Sequence, residues 1–522
     1  MVTLKRSPLW YPEISLTEFL KKKAKEMHNK YAIVYPVKLT YVDFWACVDK
    51  LASALAKMGV KIGDRVCLFE WNSPEFEIAF NAIIQVGAIV VPLNPMSKEM
   101  EIEYVVNDSS AKIIVVRDEL FSRVRNVLPN IPSVKKIIVI GKRIPNTLSF
   151  DHFMEKYSSK PLTVNINPRE DLCVLPYTSG TTGLPKGVML THYNITSNIL
   201  QASTAFQVHE NDIPLNVTPF YHIFGMLVGM LMSLYIGATQ VIIKEFHRKD
   251  FCELINTYRV TYAFLVPPMF IALISYSDLL KYDWSSLRFV ANGAAPISPE
   301  VAKKFQELTG VTVYHQWGLT EASPVVAANP WYKIKVESQG ISLSDTEHKV
   351  IDPETCKELP IGEIGELIIK GPQVMKGYWN RPNDTEEASI TINGEKWLRT
   401  GDIAKIDEEG YEYLIDRRKE MIKHKGFSVS PTELEKLILT HPCVEDCAVI
   451  GKPNSYAGEI PVAFIVTKPR VKVTSEEIID FVKNRIAEYK CVKEVEFVDT
   501  IPRTHSGKIL RRVLKEIVSA SP

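Results

Sequence analysis

The stretch YTSGTTGLPKGV, residues 177–188, gathers hydroxyls, glycines and one lysine with hardly an apolar side chain among them. Small residues let a backbone curl tightly, and successive N–H groups then point at an anion. Thr178, Ser179, Thr181 and Thr182 add hydroxyl donors, Gly180 and Gly183 freedom to turn, and Lys186 a charge suited to phosphate. This is not the P-loop of common nucleotide hydrolases: that motif needs Gly-Lys-Ser/Thr after a glycine and four residues, and here proline precedes Lys186. Taken alone, a Ser/Thr/Gly run is most often a flexible loop. A strand-like stretch at 172–177 in front, and a helix-like stretch from His192 behind, suit a turn that cradles phosphate.

Those flanking elements belong to a longer alternation. Residues 41–58 carry apolar side chains at helical spacing, opened by Thr40 with Asp43 as a capping pair. Residues 65–70 read as a buried strand, Ser73-Pro74-Glu75 as a helix start, 88–92 as a strand, 97–107 as a helix and 111–116 as a strand. Such alternation predicts an α/β fold of parallel-rich, helix-covered sheets. After about residue 340 glycine-rich strands take over, and 402–417 predicts a hairpin around Glu408-Glu409-Gly410. A small α+β domain is expected from Asp416 onward, its helices opened by Ser430-Pro431-Thr432-Glu433 and Thr474-Ser475-Glu476-Glu477. The expected division is 1–415 and 416–522, within a chain of 522 residues, too long for one simple core.

A net charge of +1 points to neither nucleic acid nor a polybasic membrane anchor. The eight cysteines form no C-x-x-C pair, and Cys443 and Cys447 lack histidines at zinc-ligand spacing, so a reduced, cytoplasmic protein is expected. The first residues hold no apolar signal core. The longest apolar run, 223–238, is interrupted by glycines and shorter than a membrane span; a buried helix is expected there, and no transmembrane segment.

Further motifs follow the loop in order: PFYHIFG (219–225), NGAAP (292–296), YHQWGLTE (314–321), TGD (400–402), DRRKEMIKHKGFSVSP (416–431) and PRTHSGKILRR (502–512). Together with YTSGTTGLPKGV they resemble the signatures of the adenylate-forming superfamily, which holds acyl-CoA synthetases, aryl-CoA ligases, luciferases and amino-acid adenylation domains. The resemblance spans nearly the whole chain. It implies that a carboxylic acid is joined to the α-phosphate of ATP, releasing pyrophosphate, and that a thiol, commonly that of CoA, then displaces AMP. It also implies a C-terminal domain that turns between the two half-reactions.

The resemblance assigns roles residue by residue. ATP or AMP would be held by Thr178, Ser179, Gly180, Thr181, Thr182, Gly183 and Lys186 on the phosphates. Gly293, Ala294, Ala295 and Pro296 would lie along adenine, with His315, Gln316, Trp317, Gly318, Leu319 and Thr320 nearby. Asp402 would accept from the ribose hydroxyls, with Arg417 close to the same sugar. Glu321 would hold Mg²⁺ with the Thr178 hydroxyl. Lys508 would place its charge between carboxylate and phosphate; without the motif, a lone Ser-Gly-Lys is usually a surface turn. Lys419 matches the hinge, Lys425, Gly426 and Phe427 the wall of the CoA channel, and Lys423 a contact to the acyl-adenylate. Trp317 stands where most relatives have tyrosine, so it can stack on a purine but lacks the phenol hydroxyl.

His222 discriminates among substrates. Amino-acid adenylation domains usually carry aspartate there, because a substrate ammonium needs a counter-charge. Here histidine is followed by Ile223, Phe224 and Met226, which suits an apolar acid. The resemblance makes His222 catalytic alongside Lys508, bordering the substrate carboxylate and the thiol entry, and with Phe224 and Gly318 it would line the acyl group. The texture of 362–382 and 318–326 leans toward a medium- or long-chain fatty acid, with a benzoate- or coumarate-type aryl acid as the alternative. Transfer to a carrier protein and a luciferase-like monooxygenase are the remaining readings. A monomer or homodimer is expected, with no nucleic-acid partner.

Overall fold

The computed structural model describes residues 4–520 except 160–161, 163, 179–183, 296, 425–426, 455–456, 487 and 504–506. The chain divides into two compact units: Leu4–Glu347 with Lys370–Leu398, and His348–Ile369 with Arg399–Pro522.

In the larger unit, Arg65–Phe69 runs parallel to both Ile89–Pro92 and Ile113–Arg117, and Lys136–Ile140 extends the sheet in the same sense. Cys67, Leu68, Val90, Val91, Ile114 and Val115 are all buried. Helices cover both faces of such a sheet, so its strands read as continuous apolar runs rather than alternating ones. A second sheet carries Pro214–Asn216, Tyr262–Leu265, Phe289–Asn292 and Val313–Gly318 in parallel, and Val325–Ala328 follows antiparallel, paired in turn with Gly340–Ser342.

The helices begin as their caps predict. Thr40 Oγ1 accepts from Asp43 N–H at the head of Tyr41–Lys57, and Ser73 accepts from Phe76 N–H before Pro74–Gln85. The helix expected at 97–107 is Glu99–Ser109 instead. Asn94 accounts for the shift: its side chain accepts from Met96 N–H and its carbonyl from Ser97 N–H, holding Ser97 in a turn.

The strand expected at 172–177 is two strands, Leu172–Val174 and Tyr177–Thr178, interrupted at Leu175-Pro176. Both pair antiparallel with Lys186–Thr191, so Lys186 sits on a strand. The helix His192–Phe206 starts after Thr191, which caps it through a reciprocal box with Asn194. The apolar run Val188, Met189 and Leu190 thus lies in a strand, ahead of the helix expected from His192.

Residues 223–238 are buried apart from the half-buried Tyr235, as expected of them, but in an unexpected geometry. Gly225–Leu231 is a π-helix, followed by the α-helix Met232–Ile236. A side chain at Gly225 would place Cβ 2.3 Å from the Pro219 carbonyl oxygen, so only glycine allows the widened turn to press on 218–219.

The strand Glu395–Ile406, which belongs to the smaller unit from Arg399 on, forms the expected hairpin with Tyr411–Arg417, its turn held by Asp407 Oδ1 accepting from Glu409 and Tyr411 N–H. A mixed five-stranded sheet built around Val444–Asn454 and Gly458–Thr467 packs Ile422, Val429, Val449 and Ile465 against Leu434, Ile438, Ile478 and Val482. Those last four come from the helices Pro431–Leu439 and Ser475–Lys483. Thr474 and Glu477 make the full capping box, whereas Glu433 turns away from its cap to bind Lys490 at 2.7 Å. The class is the one expected: a large α/β unit with mixed, parallel-rich sheets and a small α+β unit. No helix among the described residues is long and apolar enough to cross a membrane.

Candidate active site

The segment that bears His222 is gripped by one buried amide. Asn72 Nδ2 donates to the Thr218 carbonyl at 3.0 Å, and Asn72 Oδ1 accepts from Phe220 N–H at 2.7 Å, one on each side of Pro219. His222 N–H then donates to the Pro219 carbonyl, and Phe224 N–H donates to His222 Nδ1 at 3.2 Å. With Nδ1 accepting, a neutral ring carries its proton on Nε2. Surrounding protein pulls the imidazole pKa down to about 4 by desolvation. The side chain is water-accessible, so the direction, a neutral ring at pH 7, is what the chemistry draws on.

Phe224 is buried and meets Phe264 edge-on at 5.8 Å. Behind it lies Gly293, where a Cβ would stand 2.3 Å from Phe224 Cζ and 2.2 Å from Gln316 Nε2. Gly293 therefore lets the Phe224 ring and the Gln316 amide press onto its backbone, and the next residue, Ala294, adopts φ 65°. Asn292 Nδ2 braces it by donating to the Ala295 carbonyl at 2.9 Å. His315, Gln316 and Trp317 are buried on the strand Val313–Gly318, with burial holding the His315 ring neutral at a pKa of about 4. Gly318, Leu319 and Thr320 are half-buried at its end, and Gly318 packs against the Pro324 carbonyl, 2.0 Å from where a Cβ would be.

Glu321 follows in a 3-10 turn, Thr320–Ala322, and its Oε1 accepts from the Tyr378 hydroxyl at 2.8 Å. Thr178 and Lys186 are direct partners across their strand pair. The Lys186 ammonium is paired with Asp384 and lies 5.1 Å from the centre of the Tyr378 ring. Ser179, Gly180, Thr181, Thr182, Gly183 and Pro296 lie outside the described residues, as do Lys425 and Gly426.

In the smaller unit, Asp402 and Arg417 are opposite each other in the hairpin, and Arg417 Nε donates to Asp402 Oδ1 at 2.7 Å. Lys508 belongs to the same neighbourhood. Burial is the main cause of its lowered pKa; the Arg417 charge lowers it further, while Glu420 and Asp402 oppose. Lys419 is exposed within the short 3-10 segment Arg418–Glu420. Lys423 is exposed on the strand Ile422–His424, its N–H donating to Glu459, and Phe427 begins the strand that pairs with it.

The AMP-binding enzyme family matches residues 20–379, and the AMP-binding enzyme C-terminal domain matches residues 433–508. The chain belongs to this adenylate-forming family. A 4-coumarate–CoA ligase of Nicotiana tabacum is 38% identical over 491 residues, covering 92% of this chain and 90% of the relative. A long-chain-fatty-acid–CoA ligase of Bacillus subtilis is 35% identical over 534 residues, covering 97% and 95%. Among solved structures, ATP-bound MatB from Rhodopseudomonas palustris superposes with a TM-score of 0.90 at 28% identity, covering 98% of this chain and 99% of that one.

Residue-level expectations for an adenylate-forming enzyme overlooked three features of this structure. Tyr378 lies in the stretch 362–382, read from the sequence only as texture, and Asp384 lies just beyond it in no motif. Asn72 had no signal at all, since a lone asparagine before a helix looks like a turn. Arg511 pairs with Glu420 and with Glu435, the latter at 2.7 Å, beneath the neighbourhood of Lys508. The doublet Arg511-Arg512 was visible, but not which arginine turned inward.

Proposed function

We propose that this AMP-forming acid–thiol ligase activates a medium- or long-chain fatty acid through an acyl-AMP and transfers the acyl group to CoA. In the first step a carboxylate oxygen attacks the α-phosphorus, the bond to the β-phosphate oxygen breaks, and pyrophosphate leaves. In the second the CoA sulfur attacks the acyl carbon and AMP leaves. One observation carries the reading: Lys508 shares its electrostatic environment with Asp402 and Arg417. That grouping supports a lysine set at the ribose and α-phosphate, where two anions must approach and a positive charge stabilises the transition state.

The remaining roles follow. Asp402 accepts from the ribose hydroxyls, Gly293 and Ala295 let adenine lie on backbone, and Lys186 meets the outer phosphates. Neutral His222 offers Nε2–H to the substrate carboxylate without fixing it as an ion pair. A half-buried carboxylate and a threonine hydroxyl are hard oxygen donors, and Mg²⁺ is commonly held by one or two carboxylates plus phosphates. Glu321, with Thr178, would hold it and so supply charge neutralisation on the phosphates. Residues 416–522 turn about Lys419 between the half-reactions, bringing Lys425, Gly426 and Phe427 to the CoA arm and Lys423 to the acyl-adenylate.

The fatty-acid preference is supported by the residues beyond His222: Phe224 and the whole π-helix Gly225–Leu231 are buried and offer no polar side chain. A coumarate-type acid is the second reading, favoured by a different observation. Behind Gly229, Asn216 Nδ2 donates to Gln240 Oε1 at 2.7 Å, and Gln240 Nε2 donates to Glu77 Oε2 at 3.1 Å. Such a buried polar chain suits a phenol at the end of a pocket.

The test is a product assay with ATP, Mg²⁺ and CoA on acids from butyrate to palmitate, plus benzoate and coumarate, read by mass spectrometry. Straight-chain thioesters peaking at one length are expected. Aromatic thioesters alone would move the assignment to the second reading. Pyrophosphate release without any CoA thioester would move the acceptor to a carrier protein or to oxygen.

A further inference from the structure

Lys186 is held by something other than a nucleotide. Its ammonium pairs with the Asp384 carboxylate, both side chains 27% exposed, so the pair is neither loose in solvent nor sealed from a ligand. The segment that bears the carboxylate is held by its own hydrogen bonds. Gly377–Tyr378 pairs antiparallel with the strand that Lys186 opens, and Trp379 N–H donates to the Gly187 carbonyl at 2.8 Å. Thr385, next to Asp384, accepts from Tyr378 N–H at 2.8 Å and donates to the Arg381 carbonyl at 2.8 Å. Tyr378 in turn touches both charged groups assigned to the polyphosphate: its ring faces Lys186, and its hydroxyl reaches Glu321.

We propose that Asp384 is the exchange partner of Lys186, holding the ammonium while no polyphosphate is bound and yielding it to ATP or pyrophosphate. The inference rests on the reading that Lys186 contacts the phosphates. A half-exposed lysine left alone loses its geometry to side-chain entropy, whereas one passed between two anions keeps both its charge balance and its position. Competition by Asp384 weakens binding of the triphosphate, and recapture of Lys186 helps pyrophosphate to leave. Asp384 is thus a positioning residue that acts through Lys186, and Tyr378 is the surface along which the ammonium moves.

The test compares the KM for ATP and the inhibition constant of added pyrophosphate in the full chain. Asp384→Asn keeps the shape and removes the competing charge. Both constants are expected to fall, by up to about fivefold, the worth of a partly exposed ion pair. Asp384→Glu should restore both. In a Lys186→Ala background, where both constants rise, Asp384→Asn should change neither. A rise in the ATP KM in Asp384→Asn, with Lys186→Ala also raising it, would overturn the exchange and leave Asp384 as a buttress. An unchanged KM in Lys186→Ala would overturn the phosphate assignment of Lys186, and the exchange with it. Should Asp384→Asn fold poorly, Asp384→Ser read against the same Lys186→Ala cycle decides between the same outcomes.

Discussion

Arg417 Nε donates to Asp402 Oδ1 at 2.7 Å from the position directly opposite it in a strand pair, and Arg417 also donates to the Thr400 carbonyl at 3.1 Å. The guanidinium thereby fixes a carboxylate that is itself buried. A buried charge held this way is aimed, and hydrogen bonds to it are among the stronger ones available.

Replacing that carboxylate should therefore be felt first at the sugar. Asp402→Asn is expected to raise the KM for ATP by about tenfold or more, the worth of a hydrogen bond to a charged group. The KM for the acid should move little. Equal rises in both would remove Asp402 from the ribose and make it a general support of the hairpin.

Lys508→Ala should abolish adenylate formation, by a factor of about a hundred or more. Thioester formation from supplied acyl-AMP should stay near the native rate. The pH profile of the first half-reaction carries a further expectation. Burial, with Arg417 adding to it, lowers the Lys508 pKa below its ordinary 10.5. The charged form is the active one, so the rate should fall as pH rises through that lowered value. For stability the sign is opposite: the folded state disfavours the charged lysine, so this group's penalty is relieved as pH climbs toward the unfolded pKa. A rate that stays flat up to pH 10 would count against the role.

Lys419→Pro should separate the two half-reactions. Proline fixes φ near −65° and removes an N–H, so a segment that must change torsion is locked. Pyrophosphate release with acid and ATP is expected to persist while thioester formation falls by about tenfold or more. Two half-reactions slowed alike would place the hinge elsewhere.

Glu77 is fully buried, and desolvation raises its pKa to about 8, with the Gln240 amide opposing. Between the unfolded value and about 8 the folded chain holds a proton that the unfolded chain has released. Stability from this group is thus complete in mild acid and is lost as pH rises through that window, on the order of 5 kcal/mol in all. Glu77→Gln should remove the slope, melting at a nearly constant temperature from pH 6 to 9 where the native protein declines. Parallel declines in both would show that Glu77 is not the titrating group.

Much of the fold was legible because its signals are local. The Thr40, Ser73 and Thr474 caps state where helices begin, and apolar strand runs state that both sheet faces are covered. The failures have local causes too. Asn94 delayed one helix by two residues, and Glu433 found Lys490 a better partner than its own cap. The π-helix could not be foreseen from apolar periodicity, because it depends on Gly225 pressing against carbonyls at 218–219. Candidate site residues were legible as motifs, but their partners were not. Asp384 lies 198 residues from the lysine it holds.

By itself the sequence determined the family, the sheet-and-helix order, and the positions that the family's signatures occupy. These are properties of spacing, and spacing is written along the chain. Only the tertiary structure decided that Asp384 meets Lys186, that Tyr378 bridges to Glu321, that one amide of Asn72 braces the His222 segment, and that Lys508 shares its field with Arg417. Charges and hydrogen bonds act through a few ångströms of space, and folding alone sets which distant residues come within that range.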